Sequence, residues 1–390
     1  MSRRVVVAVT HLLGSGHLVR AGHLAASLAG AGFTVTLASG GVPPRVRPGG
    51  KASFLQLPPV KVEGTDFRTL LDEEGRPATQ ARLAERRRML VELAEGLRPD
   101  VVVTEHFPFG RRQLTEEFLG LVAAARAANP GARILSSVRD VLVTPRPARI
   151  AEAQDHLAQR FDGVLVHGDP AFLPLEASWP VTPELAAKLH YTGYLEASRP
   201  ELDGNGAKAE GGDGEILVSG GGSGAALPLF RLCLEAARLL GASRGWRLLV
   251  GRGMGEADFA GLCDAAPGHA IVEWARPDFP ALLSRCALSI SQAGYNTVLD
   301  LVAAGRPALV VPFDAGGETE QGIRAEAMAR AGLARCLRLA GEEPLTGASL
   351  ADAVAEALLD VAPQPVRIDR GGFAAVPGIV AGLLAERAGP

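Results

Sequence analysis

A histidine and an arginine, one helical turn apart, follow the first apolar run of the chain. The segment reads His11-Leu-Leu-Gly14-Ser-Gly16-His17-Leu-Val-Arg20. Glycines at a strand-to-helix turn let a ligand approach the backbone, and the N-terminus of the helix attracts anions. We therefore predict that Gly14 and Gly16 contact a ligand. An imidazole at this turn has a pKa suited to proton transfer near neutrality, so His17 is the predicted catalytic base and Arg20 the predicted anion contact. The alternatives are a histidine bonded only to backbone and a surface arginine.

A second glycine-rich turn follows another apolar run and reads Ser219-Gly-Gly-Gly-Ser-Gly-Ala225. Its glycines suit close backbone contact with a diphosphate, and its second serine adds a hydroxyl group. We therefore predict that Gly221, Gly222 and Ser223 bind a phosphorylated ligand. A nucleophile elbow of the form G-x-S-x-G is excluded, because Ala225 stands in place of the last glycine.

Neither turn has the sequence motif that binds a nicotinamide cofactor or a nucleoside triphosphate. Arg20 stands where the dinucleotide fingerprint has its third glycine. The second strand ends in Ala38-Ser39-Gly40, without the acidic residue that would hold a ribose. No G-x-x-x-x-G-K-[ST] sequence occurs, which excludes a P-loop. We therefore expect no cofactor.

Short β-branched runs that alternate with Ala- and Leu-rich helical stretches must position these turns. The first half has predicted strands at 4–9, 33–38, 52–57, 101–104, 133–138 and 163–166, with helices at 18–31, 82–97 and 114–128. The second half has predicted strands at 216–219, 247–250, 270–273, 287–290 and 308–311, with helices at 225–240, 258–265, 280–283, 297–304, 319–331 and 349–361. Such alternation predicts parallel sheets covered on both faces. Their ligands bind beyond the carboxyl ends of the strands, where the strand order reverses.

The alternation is interrupted by a polar, glycine-rich stretch at 198–214, which is typical of a flexible linker. We therefore predict an α/β protein with two doubly wound, Rossmann-like domains, 1–197 and 215–368, facing each other across a cleft. A length of 390 residues agrees with two domains. The tail at 372–386 is apolar enough to pack as a helix.

Composition excludes several classes of protein. Hydrophobic residues make up 47% and charged residues 21%, and the formal net charge of −3 gives no reason to expect a nucleic acid partner. The four cysteines, Cys233, Cys263, Cys286 and Cys336, form no C-x-x-C pair and are expected to be small apolar core residues. No apolar run has the length of a signal peptide or a membrane span, which indicates a cytoplasmic protein.

The segment from Ser289 to Phe313, SISQAGYNTVLDLVAAGRPALVVPF, resembles the donor-binding region of GT-B glycosyltransferases. It is most similar to family 28 and to the MurG-like N-acetylglucosaminyltransferases, and GETEQGIRA from Gly317 completes the pattern. Together with the two glycine turns, the resemblance extends over nearly the whole chain in the same order. It implies the GT-B fold, a nucleotide-sugar donor, and a final helix at 369–390 that returns to the first domain.

The resemblance also implies roles for individual donor-binding residues. Gly294 and Thr297 lie at a helix N-terminus that favours the donor diphosphate. Asp300 takes the place of the acidic residue that accepts both ribose hydroxyls, for which the family commonly has Glu. Glu320 and Gln321 match the pair that hydrogen-bonds the hydroxyls of the donor sugar. Ala275 lies in the loop whose backbone reads the nucleobase, with UDP favoured. Arg324 departs from the family, in which this position holds Asn.

A transferase of this type is expected to invert the anomeric centre in a single displacement without a bound metal, and the sequence has no D-x-D triplet. His17 would then deprotonate the acceptor hydroxyl, or contact the donor phosphate instead. Two alternatives are a UDP-sugar hydrolase, whose G-x-G-H-x-x-R motif the chain shares, and a non-catalytic nucleotide-sugar-binding protein. A UDP-sugar 2-epimerase would share the fold, but its additional acidic and histidine residues are not recognised here.

Polar residues after two strands of the first domain are predicted to contact the acceptor. Glu105, His106 and Arg111 follow one strand and Arg139 ends another. The arginines would bind a phosphate or carboxylate, with a structural role as the alternative for each residue. The run at 86–88, three arginines before Met-Leu, predicts contact with an anionic membrane that presents a lipid-linked acceptor, with a solvated helix face as the alternative.

Overall fold

The computed structural model of the chain describes residues 2–13, 16–44, 47–63, 69–143, 145–195, 211–222, 224–314, 318–341, 343–359 and 366–386. The chain divides into two compact units, Met1–Ala197 with Asp369–Pro390, and Ser198–Ile368. Two predicted ligand contacts, Gly14 and Ser223, lie outside the described residues, as does most of the predicted linker. Among the described residues, no helix is both long enough and apolar enough to cross a membrane.

The first unit contains a seven-stranded parallel sheet in the order β3-β2-β1-β4-β5-β6-β7. Its strands are β1 (Arg4–Val9), β2 (Thr34–Ser39), β3 (Ser53–Gln56), β4 (Val101–Glu105), β5 (Arg133–Arg139), β6 (Gly163–His167) and β7 (Leu189–Tyr191). Its helices up to this point of the chain are α1 (Gly16–Gly30), α2 (Gln80–Leu97), α3 (Thr115–Ala128), α4 (Pro147–Arg160) and α5 (Pro183–Ala186).

The central strand β1 is apolar on both faces because helices cover both faces of the sheet. Val5, Val7 and Val9 enter a core with α1. Val6 and Ala8 point the other way, into a core with α2, α3 and α4. The period of two along an extended strand thus divides one apolar run between two cores.

The second unit contains a six-stranded parallel sheet in the order β10-β9-β8-β11-β12-β13. Its strands are β8 (Ile216–Ser219), β9 (Trp246–Val250), β10 (Ala270–Trp274), β11 (Leu288–Ser291), β12 (Ala308–Val310) and β13 (Arg335–Cys336). Its helices are α6 (Leu227–Leu240), α7 (Glu256–Ala265), α8 (Phe279–Arg285), α9 (Tyr295–Ala304), α10 (Glu320–Arg330) and α11 (Gly347–Ala357). At its start, Gly211 accepts a hydrogen bond from the Arg285 side chain at 2.7 Å, which ties the end of the predicted linker to this unit.

The last helix, α12 (Gly372–Ala385), belongs to the first unit. It packs against α1 through Val376, Val380 and Leu383, which enter the same core as that helix. Arg133 of β5 donates a hydrogen bond to the carbonyl oxygen of Leu383 at 2.7 Å. The chain therefore returns from the second unit to cover the first sheet.

In both sheets the strand order reverses beside the first strand of the unit. The chain moves from β1 outward through β2 to β3 and then returns to β4, on the other side of β1. It likewise moves from β8 through β9 to β10 and returns to β11. The carboxyl ends of β1 with β4, and of β8 with β11, therefore flank the two crevices in which open α/β sheets bind ligands.

The fold confirms the predicted class, and it also contains four helices and strands that the sequence does not predict: α4, α5, β7 and β13. The expectation for the cysteines is right for Cys233 and Cys286, which are buried, and wrong for Cys263, which is exposed. Burial raises the pKa of the Cys286 thiol to about 11.

The solvated helix face suggested for residues 86–88 is wrong for Arg86, which is completely buried. Its Nε and Nη2 each lie 2.7 Å from an oxygen of Glu117 on α3. Its Nη1 donates to the carbonyl oxygen of Gly40 at 2.7 Å. Arg87 and Arg88 are exposed, and Arg88 lies between Glu85 and Glu92 on its own helix. Arg86 is therefore an internal cross-link, and it is unavailable to a membrane.

Candidate active site

The carboxyl ends of β1 and β4 bring His17, Arg20 and Glu105 together in the first unit. His17 Nδ1 lies 3.0 Å from Glu105 Oε1. Arg20 Nε donates to the same oxygen at 3.0 Å, and its Nη2 contacts that oxygen as well. Arg20 is buried. The anion beside this predicted anion-binding arginine is thus a carboxylate of the protein itself.

Glu105 is an ionised carboxylate although only 1% of its side chain is exposed. Burial by itself raises the pKa of a carboxyl group. Here the charge of Arg20 and its hydrogen bond oppose burial, together with a hydrogen bond from Ser137, and they hold the pKa of Glu105 below its ordinary value. The buried part of the site therefore contains a fixed negative charge on Glu105.

His17 is neutral at physiological pH. Burial lowers its pKa well below 6.5, and the positive charges of Arg20, Arg111 and Arg139 lower it further. A neutral imidazole has one nitrogen with a free electron pair, as a general base requires. The His17 side chain is 17% exposed, so a substrate can reach it, whereas Glu105 is enclosed.

Two residues after β4 adopt left-handed backbone conformations that shape the rest of this edge. His106 has φ of 68°, and its ring centroid lies 5.1 Å from that of His17. Arg111 has φ of 64°, and its Nε donates to the carbonyl oxygen of Thr10 at 2.7 Å. Burial lowers the pKa of Arg111 to about 10, so the group stays positively charged. A Cβ atom at Gly110 would lie 2.4 Å from the His106 ring, which explains the glycine.

Three functional candidates escape the sequence analysis: Ser137, His167 and Thr192. Ser137 Oγ lies 2.6 Å from Glu105 Oε2 and 2.9 Å from His167 Nε2. His167 Nδ1 lies 2.9 Å from Thr192 Oγ1. The only signal in the sequence is a polar residue near the end of β5, at the end of β6 and just after β7, which are neighbouring strands.

The glycine turn after β8 has two kinds of glycine. Gly220 and Gly251 are needed for packing, since a Cβ atom at either would lie 2.1 Å from a neighbouring atom, Ala226 Cβ or Gly221 O respectively. Gly221 has φ of 67°, and a Cβ atom at Gly221 or Gly222 would meet nothing within 4 Å. The backbone of Gly221 and Gly222 therefore borders open space at the β8–β11 switch point.

The helix α9 begins at the same switch point. Gly294 is its N-cap residue, Thr297 lies in its first turn, and Asp300 follows one turn later with 8% of its surface exposed. Ala275, after β10, donates its N–H to the carbonyl oxygen of Val250 at 2.7 Å. A nucleobase thus cannot accept a hydrogen bond from Ala275, although it can still donate one to the Ala275 carbonyl.

Glu320 and Gln321 begin α10 and have different partners. Gln321 Oε1 accepts a hydrogen bond from the Phe313 N–H at 3.0 Å, which leaves the amide NH₂ for a ligand. Glu320 is buried, and its Oε2 lies 3.5 Å from Nη2 of Arg324. Arg324 Cζ lies 5.9 Å from the centroid of the Tyr295 ring.

Across the described residues, no group of three or more His, Cys, Asp or Glu side chains could hold a metal ion.

Known proteins resemble the chain in this same region. Residues 215–364 match the glycosyltransferase family 28 C-terminal domain. Two relatives are called UDP-N-acetylglucosamine–N-acetylmuramyl-(pentapeptide) pyrophosphoryl-undecaprenol N-acetylglucosamine transferase. The protein from Gloeobacter violaceus is 34% identical over 121 residues, which cover 30% of this chain and 32% of the relative. The protein from a Synechococcus species is 30% identical over 198 residues, which cover 46% and 53%. The chain thus spans a third to about half of the length of these relatives.

Among solved structures, MurG from Acinetobacter baumannii aligns with 98% of this chain and 99% of its own, with a TM-score of 0.60 and 17% identity. At this identity the likeness concerns the fold alone, and it includes both sheets. The comparisons confirm the predicted resemblance: residues 215–364 match the glycosyltransferase family 28 C-terminal domain, and the chain has the GT-B fold seen in MurG.

Proposed function

We propose that the chain is a glycosyltransferase that moves a sugar from a nucleotide-sugar donor to an acceptor hydroxyl. The reaction is a single displacement that inverts the anomeric centre and needs no metal. The observation that carries the proposal is the match of residues 215–364 to a family 28 domain, because this match comprises the whole second sheet with both turns of its switch point.

The donor binds at the carboxyl edge of the second sheet. The N–H groups of Gly221 and Gly222 and the N-terminus of α9 at Gly294 and Thr297 stabilise the departing diphosphate. Asp300 accepts hydrogen bonds from the ribose hydroxyls. The Ala275 carbonyl oxygen accepts a hydrogen bond from an N–H group of the nucleobase, and uracil offers such a group at N3. Glu320 and the free amide of Gln321 contact the sugar, a hexose or N-acetylhexosamine carried by UDP.

His17 takes the proton of the attacking hydroxyl. Its Nδ1–H donates to Glu105 Oε1, and the free electron pair is then on Nε2. A carboxylate that accepts from one imidazole nitrogen makes the other nitrogen the basic one and stabilises the imidazolium after proton transfer. Glu105, predicted from the sequence as an acceptor contact, is therefore assigned to the histidine instead.

The acceptor combines an anionic and an apolar part. Arg111 and Arg139 stay positively charged beside His17 and lower its pKa, and they are suited to a phosphate of the acceptor. Leu13, Val42 and Val143, which follow β1, β2 and β5, expose 57%, 41% and 48% of their surfaces. The pyrophosphoryl-undecaprenol in the names of the relatives combines an anionic pyrophosphate with an apolar undecaprenyl chain.

We therefore propose a lipid-linked acceptor, met at the inner face of the cytoplasmic membrane. Sedimentation with vesicles of anionic phospholipid at low salt tests this part of the proposal. Loss of the protein from the supernatant supports it, whereas a protein that stays entirely in the supernatant contradicts it.

Calorimetric titration with UDP, dTDP, GDP, ADP and NAD tests the donor site. We expect saturable binding of UDP that weakens about 10–100-fold in Asp300→Ala, since a hydrogen bond to a charged group contributes roughly 1.5–3 kcal/mol. The matched control is Asp352→Ala, an exposed acid on α11, which should bind UDP like the wild type. Binding of NAD with no response to any nucleoside diphosphate would overturn the assignment.

The fate of the sugar distinguishes transfer from hydrolysis. With a UDP-sugar labelled in the sugar and a membrane extract as the source of acceptor, we expect release of UDP and transfer of the labelled sugar to the lipid fraction. Free sugar in the same amount as UDP would instead favour a UDP-sugar hydrolase. Nucleotide binding without turnover in any extract would favour a non-catalytic binding protein.

A further inference from the structure

A continuous row of hydrogen-bonding side chains lies behind Glu105, on the side away from His17. We propose that Ser137, His167 and Thr192 are positioning residues that form a directional hydrogen-bond relay, which orients Glu105 and thereby fixes the tautomer of His17. The effect on catalysis rests on the proposed function. The relay itself is a property of the protein without any substrate.

The distances make the row continuous from strand to strand. Thr192 Oγ1 lies 2.9 Å from His167 Nδ1, and His167 Nε2 lies 2.9 Å from Ser137 Oγ. Ser137 Oγ lies 2.6 Å from Glu105 Oε2. The other carboxylate oxygen, Oε1, faces Nδ1 of His17. The residues come from the ends of neighbouring strands β4, β5 and β6 and from the residue after β7.

The chemistry of each member sets the direction of the row. Ionised Glu105 has no proton to give, so the Ser137 hydroxyl must donate to it. Ser137 Oγ can then only accept from His167, which requires a proton on His167 Nε2. His167 is fully buried, and burial lowers its pKa to about 3, so the ring carries a single N–H. Its Nδ1 is therefore bare and faces Thr192 Oγ1, whose single hydroxyl proton is shared between this nitrogen and the carbonyl oxygen of Gly193, 2.6 Å away.

Burial keeps water from replacing any member of the row. Ser137, His167 and Thr192 each expose 0% of their surface, and Glu105 exposes 1%. Three polar side chains in this position are costly unless each one is hydrogen-bonded. Removal of the Ser137 hydroxyl therefore leaves Glu105 Oε2 without a replacement donor, and the carboxylate is then held through Oε1 alone.

Charged groups on the neighbouring elements act at Glu105 Oε1 or on His17 itself. Arg20 of α1 bonds Glu105 Oε1, while Arg111 after β4, Arg139 of β5 and His11 after β1 act on His17 by charge. His106 faces His17 through its ring. Arg20 Nη2 also lies 2.9 Å from His17 Nδ1 and competes for the position that Glu105 takes. Among the residues that the structure describes, Ser137 is the hydrogen-bond donor to Glu105 Oε2, so the relay fixes this oxygen while Arg20 holds the other.

Nitrogen NMR of protein labelled with ¹⁵N-histidine tests the relay without any substrate. His17→Gln and His167→Gln identify the two resonances by loss. We expect the Nε2–H tautomer at His167 and the Nδ1–H tautomer at His17. A predominant Nδ1–H tautomer at His167 in the wild type would reverse the required direction and overturn the proposal.

Variants then test the link between the relay and His17. In Ser137→Ala and Thr192→Val we expect the Nε2–H tautomer of His17 to increase. His167→Gln keeps an N–H donor for Ser137 and should preserve the wild-type tautomer of His17, whereas His167→Leu should not. Ser136→Ala is the matched control, since Ser136 is a buried serine of the same strand that donates to the Phe107 carbonyl instead. An unchanged His17 spectrum in folded Ser137→Ala would contradict the proposal.

Turnover provides a second, separate measurement once a donor and an acceptor are in hand. Ser137→Ala should lower kcat about tenfold with KM for the donor unchanged, as outer partners of a functional histidine commonly do. His167→Gln, which keeps the donor to Ser137, should retain most of the wild-type kcat, whereas His167→Leu should lose it as Ser137→Ala does. If UDP binding fails while the tautomers are as expected, the proposed function is wrong and the relay still stands.

Discussion

His17 Nδ1 and Glu105 Oε1 lie 3.0 Å apart although 88 positions of the chain separate the two residues. One belongs to the first turn of α1 and the other ends β4. The two meet because β1 and β4 are neighbours at the point where the strand order reverses. Parallel pairing thus places a titratable ring against a buried carboxylate, an arrangement suited to proton transfer.

The first prediction concerns this pair. In Glu105→Gln the side chain has nearly the same shape but lacks the charge that stabilises a protonated His17. We expect kcat for sugar transfer to fall by up to about 10⁴-fold, the loss that the equivalent acid-to-amide change causes in the Ser-His-Asp triad by leaving the histidine in the wrong tautomer. KM for the donor should not change, because the donor residues are in the other unit. Steady-state kinetics measures both constants, and a rise in KM at constant kcat would contradict the assignment.

The second prediction concerns the pH dependence of turnover. A general base must be neutral, and the pKa of His17 is held below 6.5 by burial and then by Arg20, Arg111 and Arg139. Activity should therefore persist at pH 6.5 and decline only as the pH falls through the lower pKa. Arg111→Gln removes one positive charge and should shift that decline to higher pH. Arg88→Gln, an exposed arginine on α2, is the control and should leave the kcat/KM profile unchanged.

The third prediction concerns stability in acid. His167 has a pKa of about 3 in the folded chain and an ordinary value of 6.5 when unfolded. Above pH 6.5 the ring is neutral in both the folded and the unfolded state, so it adds no pH dependence to the free energy of unfolding. As the pH falls from 6.5 toward 3, only the unfolded chain gains the proton, so the free energy of unfolding should decrease by up to about 1.4 kcal/mol per pH unit. Urea denaturation between pH 7 and 4 measures this slope, and His167→Gln should reduce it.

The fourth prediction concerns the buried arginine of α2. Arg86→Met removes five donated hydrogen bonds, two of them to Glu117, which stays enclosed without its cationic partner, and we expect a loss of about 3–5 kcal/mol of stability. Arg88→Met on the same helix removes only two exposed ion pairs, with Glu85 and Glu92, and should leave the stability nearly unchanged. Urea denaturation compares the two, and equal losses would refute an internal cross-link.

The fifth prediction concerns the glycine turn of the second unit. A Cβ atom at Gly251 would lie 2.1 Å from the Gly221 carbonyl oxygen, so Gly251→Ala must displace the turn. We expect UDP affinity to fall about tenfold, or roughly 1.4 kcal/mol. At Gly261, inside α7, a Cβ atom meets nothing within 4 Å, and Gly261→Ala should bind UDP normally. Calorimetry of both variants decides the matter.

Much of the fold was predictable from residue order because its signals are local. The alternation of β-branched runs with Ala- and Leu-rich stretches predicts the class, and glycine at 221 coincides with a positive φ of 67°. The His17 and Glu105 side chains were both recognised as chemically relevant from their places after apolar runs. The short strands β13 and β7 were not predicted, because segments of two and three residues with polar members have no detectable apolar period.

The assignment of partners depended on the tertiary structure. Arg86 and Arg88 look alike in the sequence, yet one is enclosed by Glu117 and the other is exposed, since the two point to different sides of α2. Ser137, His167 and Thr192 are unremarkable polar residues until β5, β6 and β7 lie side by side. Local patterns specify strands and turns, because those depend on neighbours in the chain. Which carboxylate meets which histidine depends on strand order, and strand order is settled only when the sheet assembles and buries its apolar faces.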